Sequence, residues 1–263
     1  MRIKRIESSK NPALKPLLQP KHAPEGSFPI EGPNLLEAAL EGGRIALGAV
    51  FVTARGLERH YALIERASAI APELYEIPEH VMERITSTET PQGLIALCTL
   101  KAWGIEDLDL NAPIVVLDSL GDPGNVGTII RTAEAAGAGG VIVLPGTADP
   151  YSPKALRASA GSALRVPVVR MEHADDLSKL GAGGFRLLLA EPRGGVPLYE
   201  ADLQAPVGLV FGNEAHGAGE VTKFMASGSV SLPLMGRAES LNVAAAASVV
   251  LYEALRQRVA GGR

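Results

Sequence analysis

The sequence predicts an α/β protein in which a smaller N-terminal α/β domain precedes a larger C-terminal domain built on a mostly parallel sheet. The chain of 263 residues is long enough for two domains of ordinary size, and a hydrophobic content of 46% supplies their cores. In the C-terminal half, apolar strands alternate with helices. This alternation is typical of a parallel sheet that is covered by helices on both faces.

Pattern and composition divide the chain into four segments. We predict a basic N-terminal arm over residues 1–26, an N-terminal domain over 27–100, a polar linker over 101–111 and a C-terminal domain over 112–263. The arm is defined by charge, because Glu7 is the only acidic side chain in the first 24 residues. Its basic residues are Arg2, Lys4, Arg5, Lys10, Lys15 and Lys21. Such a cluster could meet phosphate groups, and a solvated arm is the alternative.

Composition also excludes several classes of protein. The net charge of −4 argues against tight, indiscriminate binding of nucleic acid. No stretch of about 18 apolar residues occurs, and no apolar run follows the charged N-terminus, so we expect a cytoplasmic protein without a membrane span. A single cysteine, Cys98, excludes an internal disulfide, and we expect it to be a buried strand residue. The histidines lack ligand spacing and no CxxC occurs, so no metal site is expected.

The N-terminal domain reads as alternating short helices and strands. The predicted helices cover residues 33–40, 58–69 and 79–85. The predicted strands cover residues 49–52, 75–77 and 93–100.

In the C-terminal domain, the order strand, polar loop, helix occurs in three blocks. The first runs from a strand at 114–117 into a loop rich in Pro and Gly, which mark a turn, and then into a helix that we expect to begin near Thr128. Ile129, Ile130, Ala133 and Ala136 give that helix an apolar stripe, and Gly137 stands where a left-handed C-terminal cap is wanted.

The second block is a strand at 207–211 that ends at a glycine-flanked turn over 212–217. The third is a strand at 230–234, a loop at 235–242 and a long helix that reaches Arg258. Loops in such positions build ligand sites. The start of the last helix is rich in alanine, which lets another backbone come close.

Together these residues resemble the three motifs of the SpoU (TrmH) family of RNA ribose 2′-O-methyltransferases, a branch of the SPOUT superfamily. The resemblance spans residues 112–263. Its motifs are Asn125-x-Gly127-x-x-x-Arg131-x5-Gly137, Phe211-Gly212-Asn213-Glu214, and Ser240-Leu241-Asn242-Val243 with Glu253, Arg256, Gln257 and Arg258. Ala215 stands where the family commonly has glycine, and Leu234 where methionine often follows the proline. Neither departure removes a polar group.

The resemblance implies a fold and an assembly. SPOUT domains tie their C-terminal segment into a deep trefoil knot that holds the cofactor, and SpoU enzymes form homodimers through this domain. The phrases Ile30-Glu31-Gly32 and Thr90-Pro91-Gln92-Gly93 look like those of the RNA substrate-binding domain, similar to L30e/L7Ae proteins, that often precedes it. Residues 27–100 would then bind RNA. The alanine-rich helix start suits close packing in a dimer.

The resemblance also implies S-adenosylmethionine as cofactor, bound at Gly212, Leu232 and Leu241 mainly through main-chain atoms. Cofactor binding needs an apolar slot with main-chain groups at its edge, and a glycine permits close approach. For the leucines, ordinary core packing is the alternative.

Arg131 is the residue that we expect to carry the chemistry. Its guanidinium would grip the phosphate beside the target ribose and hold the 2′-hydroxyl against the methyl donor. The matching family arginine has been proposed as a general base, but arginine keeps its proton in proteins, so we predict positioning first. The alternative is a surface arginine paired with Glu134 or Asp122.

Further polar residues of the motifs complete the predicted catalytic set. Asn125 would bind substrate or hold its loop. Glu214 would accept a hydrogen bond from the ribose or orient Arg131. Ser240 and Asn242 would line the site, and each is also a good N-cap residue for the following helix.

RNA contacts are expected from basic residues outside the motifs. Lys154 and Arg157 lie in a segment, 153–162, that resembles another recurrent part of the family, and we expect both to face RNA. Arg2, Lys4 and Arg5 would add contacts from the arm. His216, beside the second motif, is expected to be a solvated loop residue.

The predicted function is therefore S-adenosylmethionine-dependent 2′-O-methylation of a structured RNA, with 23S ribosomal RNA as the predicted substrate. The alternatives are a tRNA 2′-O-methyltransferase and a non-catalytic RNA-binding or ribosome-assembly factor that keeps the fold. A nicotinamide-dependent oxidoreductase is disfavoured, because Gly121, Gly124 and Gly127 do not give the G-x-G-x-x-G spacing.

Overall fold

The computed structural model describes residues 2–88, 90–204 and 206–261. The described residues form two compact units, the first ending at Ala102 and the second beginning at Trp103.

In the described part of the N-terminal unit, five strands form a mixed sheet in the order β1-β4-β3-β5-β2. The strands are β1 (Lys4–Arg5), β2 (Ser27–Glu31), β3 (Ile45–Val52), β4 (Glu73–Glu76) and β5 (Leu94–Leu100). The α-helices are α1 (Lys15–Leu18), α2 (Pro33–Glu41), α3 (Ala54–Arg59), α4 (Tyr61–Ser68) and α5 (Glu79–Ile85). β5 runs antiparallel to both of its neighbours, whereas β1 and β3 pair in parallel with β4.

The segment predicted as a basic N-terminal arm contributes a strand to this unit. β1 extends the sheet beside β4, and Ile6 and Leu14 are buried in the same cluster as Phe51. Burial of these apolar side chains stabilises the packing of the segment, while the side chains of Lys4 and Arg5 stay exposed. A strand of two charged residues has no alternating apolar pattern, so the sequence gives no sign of it.

The predicted helix at 58–69 is two shorter ones, α3 and α4. Thr53 caps α3 by accepting a hydrogen bond from the Gly56 N–H, which starts this helix before the predicted residue. Cys98 is buried in β5, as predicted, and burial raises the pKa of its thiol.

Seven strands form an entirely parallel sheet in the part of the C-terminal unit that the structure describes. Their order is β10-β12-β9-β11-β6-β7-β8. The strands are β6 (Ile114–Asp118), β7 (Gly140–Val143), β8 (Val168–Arg170), β9 (Arg186–Glu191), β10 (Val196–Pro197), β11 (Val207–Gly212) and β12 (Gly228–Ser231). The α-helices are α6 (Pro123–Ala135), α7 (Pro153–Ser159), α8 (Glu220–Met225) and α9 (Val243–Ala260). The predicted α/β class and parallel sheet are confirmed, and the knot stays a prediction.

The core of this unit includes residues predicted to be linker. Leu108 is buried in a cluster with Ile114 and Val210, and Trp103 and Ile105 pack against it. The residues from Trp103 onward therefore belong to the C-terminal unit.

Helix α6 begins at Pro123, not near Thr128 as predicted. The side chain of Asp122 caps it by accepting hydrogen bonds from the N–H groups of Gly124 and Asn125, and proline suits the first helical position. Asn125 therefore stands on the first turn of a helix. At the other end, Gly137 has a φ of 63°, as expected for a left-handed cap.

The third block also differs in detail. β12 ends at Ser231, before Pro233, whose missing N–H cannot pair in a sheet. The alanine-rich start of α9 packs inside its own unit, since Ala244 and Ala247 are buried and the hydroxyl of Ser248 lies 3.2 Å from that of Thr132 on α6. Among the described residues, no helix is both long and apolar enough to cross a membrane.

Candidate active site

An apolar cavity of about 230 Å³ lies at the carboxyl edge of the parallel sheet. Its walls are the ends of β9, β11 and β12, the loops that follow them and the first turns of α9. Open α/β sheets bind ligands at this edge. The apolar side chains in the walls include Leu189, Val210, Phe211, Leu232, Leu241 and Val250, and the polar ones are Glu191, Asn213, Glu214 and Ser240.

The loop after β11 folds back on itself beside this cavity. The Asn213 N–H donates to the Gly217 carbonyl at 2.9 Å, and the Gly217 N–H donates back at 2.8 Å. The side chain of Asn213 also accepts a hydrogen bond from the Ala215 N–H. A Cβ at Gly212 would collide with the backbone of Gly217 and Ala218, so glycine is required there.

Three polar side chains from distant parts of the chain meet in one cluster. The Asn125 side chain donates from Nδ2 to Glu214 Oε1 at 2.7 Å. Asn242 Nδ2 donates to Asn125 Oδ1 at 3.2 Å. Because Glu214 also lines the cavity, the cluster lies directly beside it. Asn242 caps α9 as well, through the N–H groups of Ala244 and Ala245.

The N-cap residue of α6, Asp122, contacts both a lysine and the backbone of Asn125 in this cluster. Lys154 Nζ donates to Asp122 Oδ2 at 2.7 Å, while Asp122 Oδ1 accepts from the backbone of Asn125. The hydrogen bond from Lys154, aided by that from the Asn125 backbone, lowers the pKa of the Asp122 carboxyl. An ionised carboxylate at a helix N-terminus is the favourable state.

Arg131 is exposed on α6 and makes no hydrogen bond or ion pair within the described part of the chain. The carboxylates considered as its partners are engaged elsewhere. Glu134 receives hydrogen bonds from Arg165 at 2.6 and 2.9 Å, and Asp122 receives one from Lys154. The guanidinium is thus open to solvent.

The predicted cofactor residues all line the cavity: Gly212, Leu232 and Leu241. Neither leucine is buried, so core packing does not account for them. Ser240 also lines the cavity, but the capping role considered for it is wrong, because Asn242 caps α9.

The other predicted RNA contacts lie outside the cavity. Lys154 is bound to Asp122 with its side chain still 59% exposed, and Arg157 is exposed on α7. Lys4 pairs with Glu73 at 2.6 Å and Arg5 with Glu76 at 3.6 Å, so the charges of β1 are partly neutralised within the N-terminal unit. Arg2 is exposed.

Sequence reasoning missed the residues that shape the loops. Asn213 was seen only as part of a motif, although its side chain holds the turn and also donates to the Ser119 carbonyl at 3.0 Å. Asp118, at the end of β6, was read as a loop residue and is buried. The position of this carboxylate, directly after four apolar strand residues, was the signal in the sequence that could have indicated its burial. No cluster of His, Cys, Asp and Glu suited to a metal occurs in the described ranges.

Comparison with known proteins identifies the family. The sequence model of the SpoU rRNA Methylase family matches residues 112–252, more than half of the chain. The chain belongs to the SpoU family. A second model, that of the MRM3-like substrate binding domain, matches residues 13–96.

Individual relatives match this SpoU protein over nearly its whole length. The 23S rRNA (guanosine(2553)-2′-O)-methyltransferase RlmP of Bacillus subtilis is 32% identical, over 95% of this chain and 98% of its own. The AdoMet-bound rRNA methyltransferase structure from Sinorhizobium meliloti has a TM-score of 0.86 at 32% identity, over 97% and 98% of the chains. The structure of AviRb from Streptomyces viridochromogenes, in complex with AdoMet, has a TM-score of 0.82 at 28% identity, over 95% of this chain and 99% of its own.

These findings confirm the predicted class and cofactor: this SpoU protein is an RNA methyltransferase that uses S-adenosylmethionine. The cavity fits that cofactor. Its apolar walls suit adenine, the main chain of the adjoining loops supplies donors and acceptors, and the carboxylates of Glu191 and Glu214 suit a positively charged sulfonium and ammonium.

Proposed function

We propose that this protein methylates a ribose 2′-hydroxyl of 23S ribosomal RNA. The observation that carries the proposal is the contact of Asn125, Glu214 and Asn242 beside the cavity that fits the cofactor. The full-length similarity to RlmP supports ribosomal RNA as the substrate class. A methylase of ribosomal RNA acts where ribosomes are assembled, which agrees with the expected cytoplasmic location.

In this proposal, Gly212, Leu232 and Leu241 hold the cofactor. Bound S-adenosylmethionine supplies an electrophilic methyl group. The protein's part is to place the acceptor oxygen in line with that group and to accept a hydrogen bond from the acceptor hydroxyl. Positioning contributes most of the rate.

Arg131 is the proposed anchor for the substrate. It is exposed on the helix that carries Asn125, and it has no partner in the described part of the chain that phosphate would have to displace. A guanidinium binds phosphate through paired hydrogen bonds, which fixes the orientation of the neighbouring ribose. We retain positioning as its first role.

Glu214 is the proposed acceptor for the ribose hydroxyl. The Asn125 side chain donates a hydrogen bond to Oε1 of this carboxylate, and Oε2 has no hydrogen-bond partner among the described residues. Asn242 and Asn125 keep Glu214 in place, and Ser240 lines the same cavity. Lys154 and Arg157 on α7, with Arg2, Lys4 and Arg5 in the N-terminal unit, are proposed to contact the RNA backbone.

We also propose that the enzyme is a homodimer through its C-terminal unit. The outer face of α9 carries Val249, Tyr252 and Val259, which are 36%, 52% and 68% exposed. Residues at this spacing share one side of a helix. An exposed apolar stripe of this kind is typical of a protein contact.

Mass-spectrometric mapping of ribose methylation in total RNA tests the proposal. RNA is compared from cells with the gene, without it, and with the gene carrying Arg131→Ala. We expect one 2′-O-methyl mark in 23S RNA that requires the intact gene. A gene-dependent mark on transfer RNA, or on a base, would contradict the proposed substrate or acceptor.

A further inference from the structure

We propose that Asp118 is a positioning residue of this site, whose buried carboxylate fixes the shape of the loop from Gly212 to Gly219. The proposal rests on the proposed function, because that loop lines the cofactor cavity and carries Glu214. Asp118 is the last residue of β6, next to β11 in the sheet, and is 4% exposed. It does not line the cavity, so any effect must pass through the loop.

Both oxygens of this carboxylate are engaged. Oδ1 accepts a hydrogen bond from the Ser119 hydroxyl at 3.0 Å, and Oδ2 accepts one from the Gly219 N–H at 2.8 Å. A buried carboxylate is costly unless its oxygens are hydrogen-bonded. Here one donor is its own neighbour and the other closes the far end of the loop after β11.

The backbone at Ser119 supports a role beyond packing. Its φ is 60°, a conformation that residues other than glycine rarely adopt. Such strain persists only where the surroundings enforce it, and it concentrates at functional sites. Ser119 is held by its hydroxyl on Asp118 and by its carbonyl, which accepts from Asn213 Nδ2 at 3.0 Å.

The result is a clamp with two points of attachment. Asn213, at the start of the loop, is bound to Ser119, and Gly219, at its end, is bound to Asp118. Glu214 lies between these attachments, and with the loop in this shape its carboxylate accepts a hydrogen bond from Asn125. Loss of the clamp should therefore weaken cofactor binding and displace Glu214 together.

The test compares Asp118→Ala with Asp118→Asn in the full-length protein. Alanine removes both acceptors, so we expect calorimetric S-adenosylmethionine affinity to fall about 10-fold or more. Amide hydrogen exchange over residues 213–219 should accelerate in the cofactor-free protein. Asparagine should restore both readouts, because its oxygen accepts from Gly219 and its NH₂ group donates to the Ser119 hydroxyl.

Asp176→Ala is the matched control. It removes a carboxylate that accepts from the His173 backbone away from the cavity, and should leave affinity and loop exchange unchanged. Should Asp118→Ala not fold, Asp118→Ser replaces it. The shorter side chain does not reach both the Ser119 hydroxyl and the Gly219 N–H, so the same loss is expected.

The proposal is overturned by unchanged affinity and loop exchange in Asp118→Ala, or in Asp118→Ser where that variant is used. It is also overturned if Asp118→Asn is as impaired as Asp118→Ala, since charge would then matter more than hydrogen bonding. A wild-type protein that binds cofactor but methylates no ribose contradicts the proposed function, and leaves the loop readouts valid as a test of the clamp.

Discussion

The side chain of Asn242 has two tasks that a substitution can separate. Its oxygen accepts hydrogen bonds from the Ala244 and Ala245 N–H groups at the start of α9, and its nitrogen donates to Asn125. Sequence reasoning found both roles but could not tell whether Ser240 shared the capping. The choice depends on where the helix starts, and the exact terminal residue of a helix is poorly encoded locally.

Asn242→Asp should keep the cap and lose the donor to Asn125. We expect the melting temperature to change little, because aspartate caps as well as asparagine, while the rate of methyl transfer falls at saturating cofactor. Asn242→Ala should lose both, with a loss of about 1 kcal/mol in the free energy of unfolding. Equal rates for Asn242→Asp and the wild type would remove Asn242 from the proposed site.

Helix α6 shows how far element boundaries follow from sequence. Its apolar stripe and its glycine cap were predicted, but its first turn was read as loop because Pro and Gly dominate it. The signals of a helix start were present in Asp122 as N-cap and Pro123 at the first position. Position 127 in this helix requires glycine, because a Cβ there would collide with the Ala155 carbonyl of α7. No local sequence pattern reveals this contact between the two helices.

The ion pair between Glu134 and Arg165 should make the attachment of α6 depend on pH. Hydrogen bonding from Arg165 lowers the pKa of Glu134 below 4.5. A carboxyl group whose pKa is lower in the folded protein stabilises the fold at pH values above its pKa in the unfolded chain. This stabilisation is lost as the pH falls through the pKa of the folded state. We expect Glu134→Gln to cost about 1 kcal/mol at pH 7, after allowance for solvent screening of a partly exposed pair.

Urea unfolding of wild type and Glu134→Gln at a series of pH values checks this. The difference in unfolding free energy should shrink below about pH 4.5. Glu220→Gln is the control, because Glu220 is 91% exposed in its pair with Lys223 and should change stability little at any pH. A difference for Glu134→Gln that stays constant from pH 7 to acid would contradict the account.

At the scale of the whole molecule, the α/β class and the parallel sheet followed from strand and helix alternation. The N-terminal residues did not. Ile6 and Leu14 belong to a core whose other members lie far along the chain, so the sequence predicted a basic arm from local charge and gave no sign of this packing. The cluster of Asn125, Glu214 and Asn242 was predicted through motifs, and its contacts depend on the tertiary arrangement of loops.

The proposed dimer gives a prediction at the same scale. Tyr252→Glu places a charge in the apolar stripe of α9 and should convert a dimer into a monomer, as measured by light scattering across a range of concentrations. Tyr199→Glu is the control, since Tyr199 is 61% exposed on another element. A wild type that is monomeric at every concentration would contradict the proposed assembly.

The central claim is that the cavity and the neighbouring polar cluster form one ribose methyltransferase site in which Arg131 positions the RNA. The most direct test measures transfer of labelled methyl from S-adenosylmethionine to 23S RNA by wild type, Arg131→Lys and Arg131→Ala, with calorimetric cofactor affinity on the same preparations. We expect transfer to be lost in Arg131→Ala and intermediate in Arg131→Lys, which keeps the charge but not the paired geometry, while cofactor affinity stays nearly constant. Full transfer by Arg131→Ala would contradict the account.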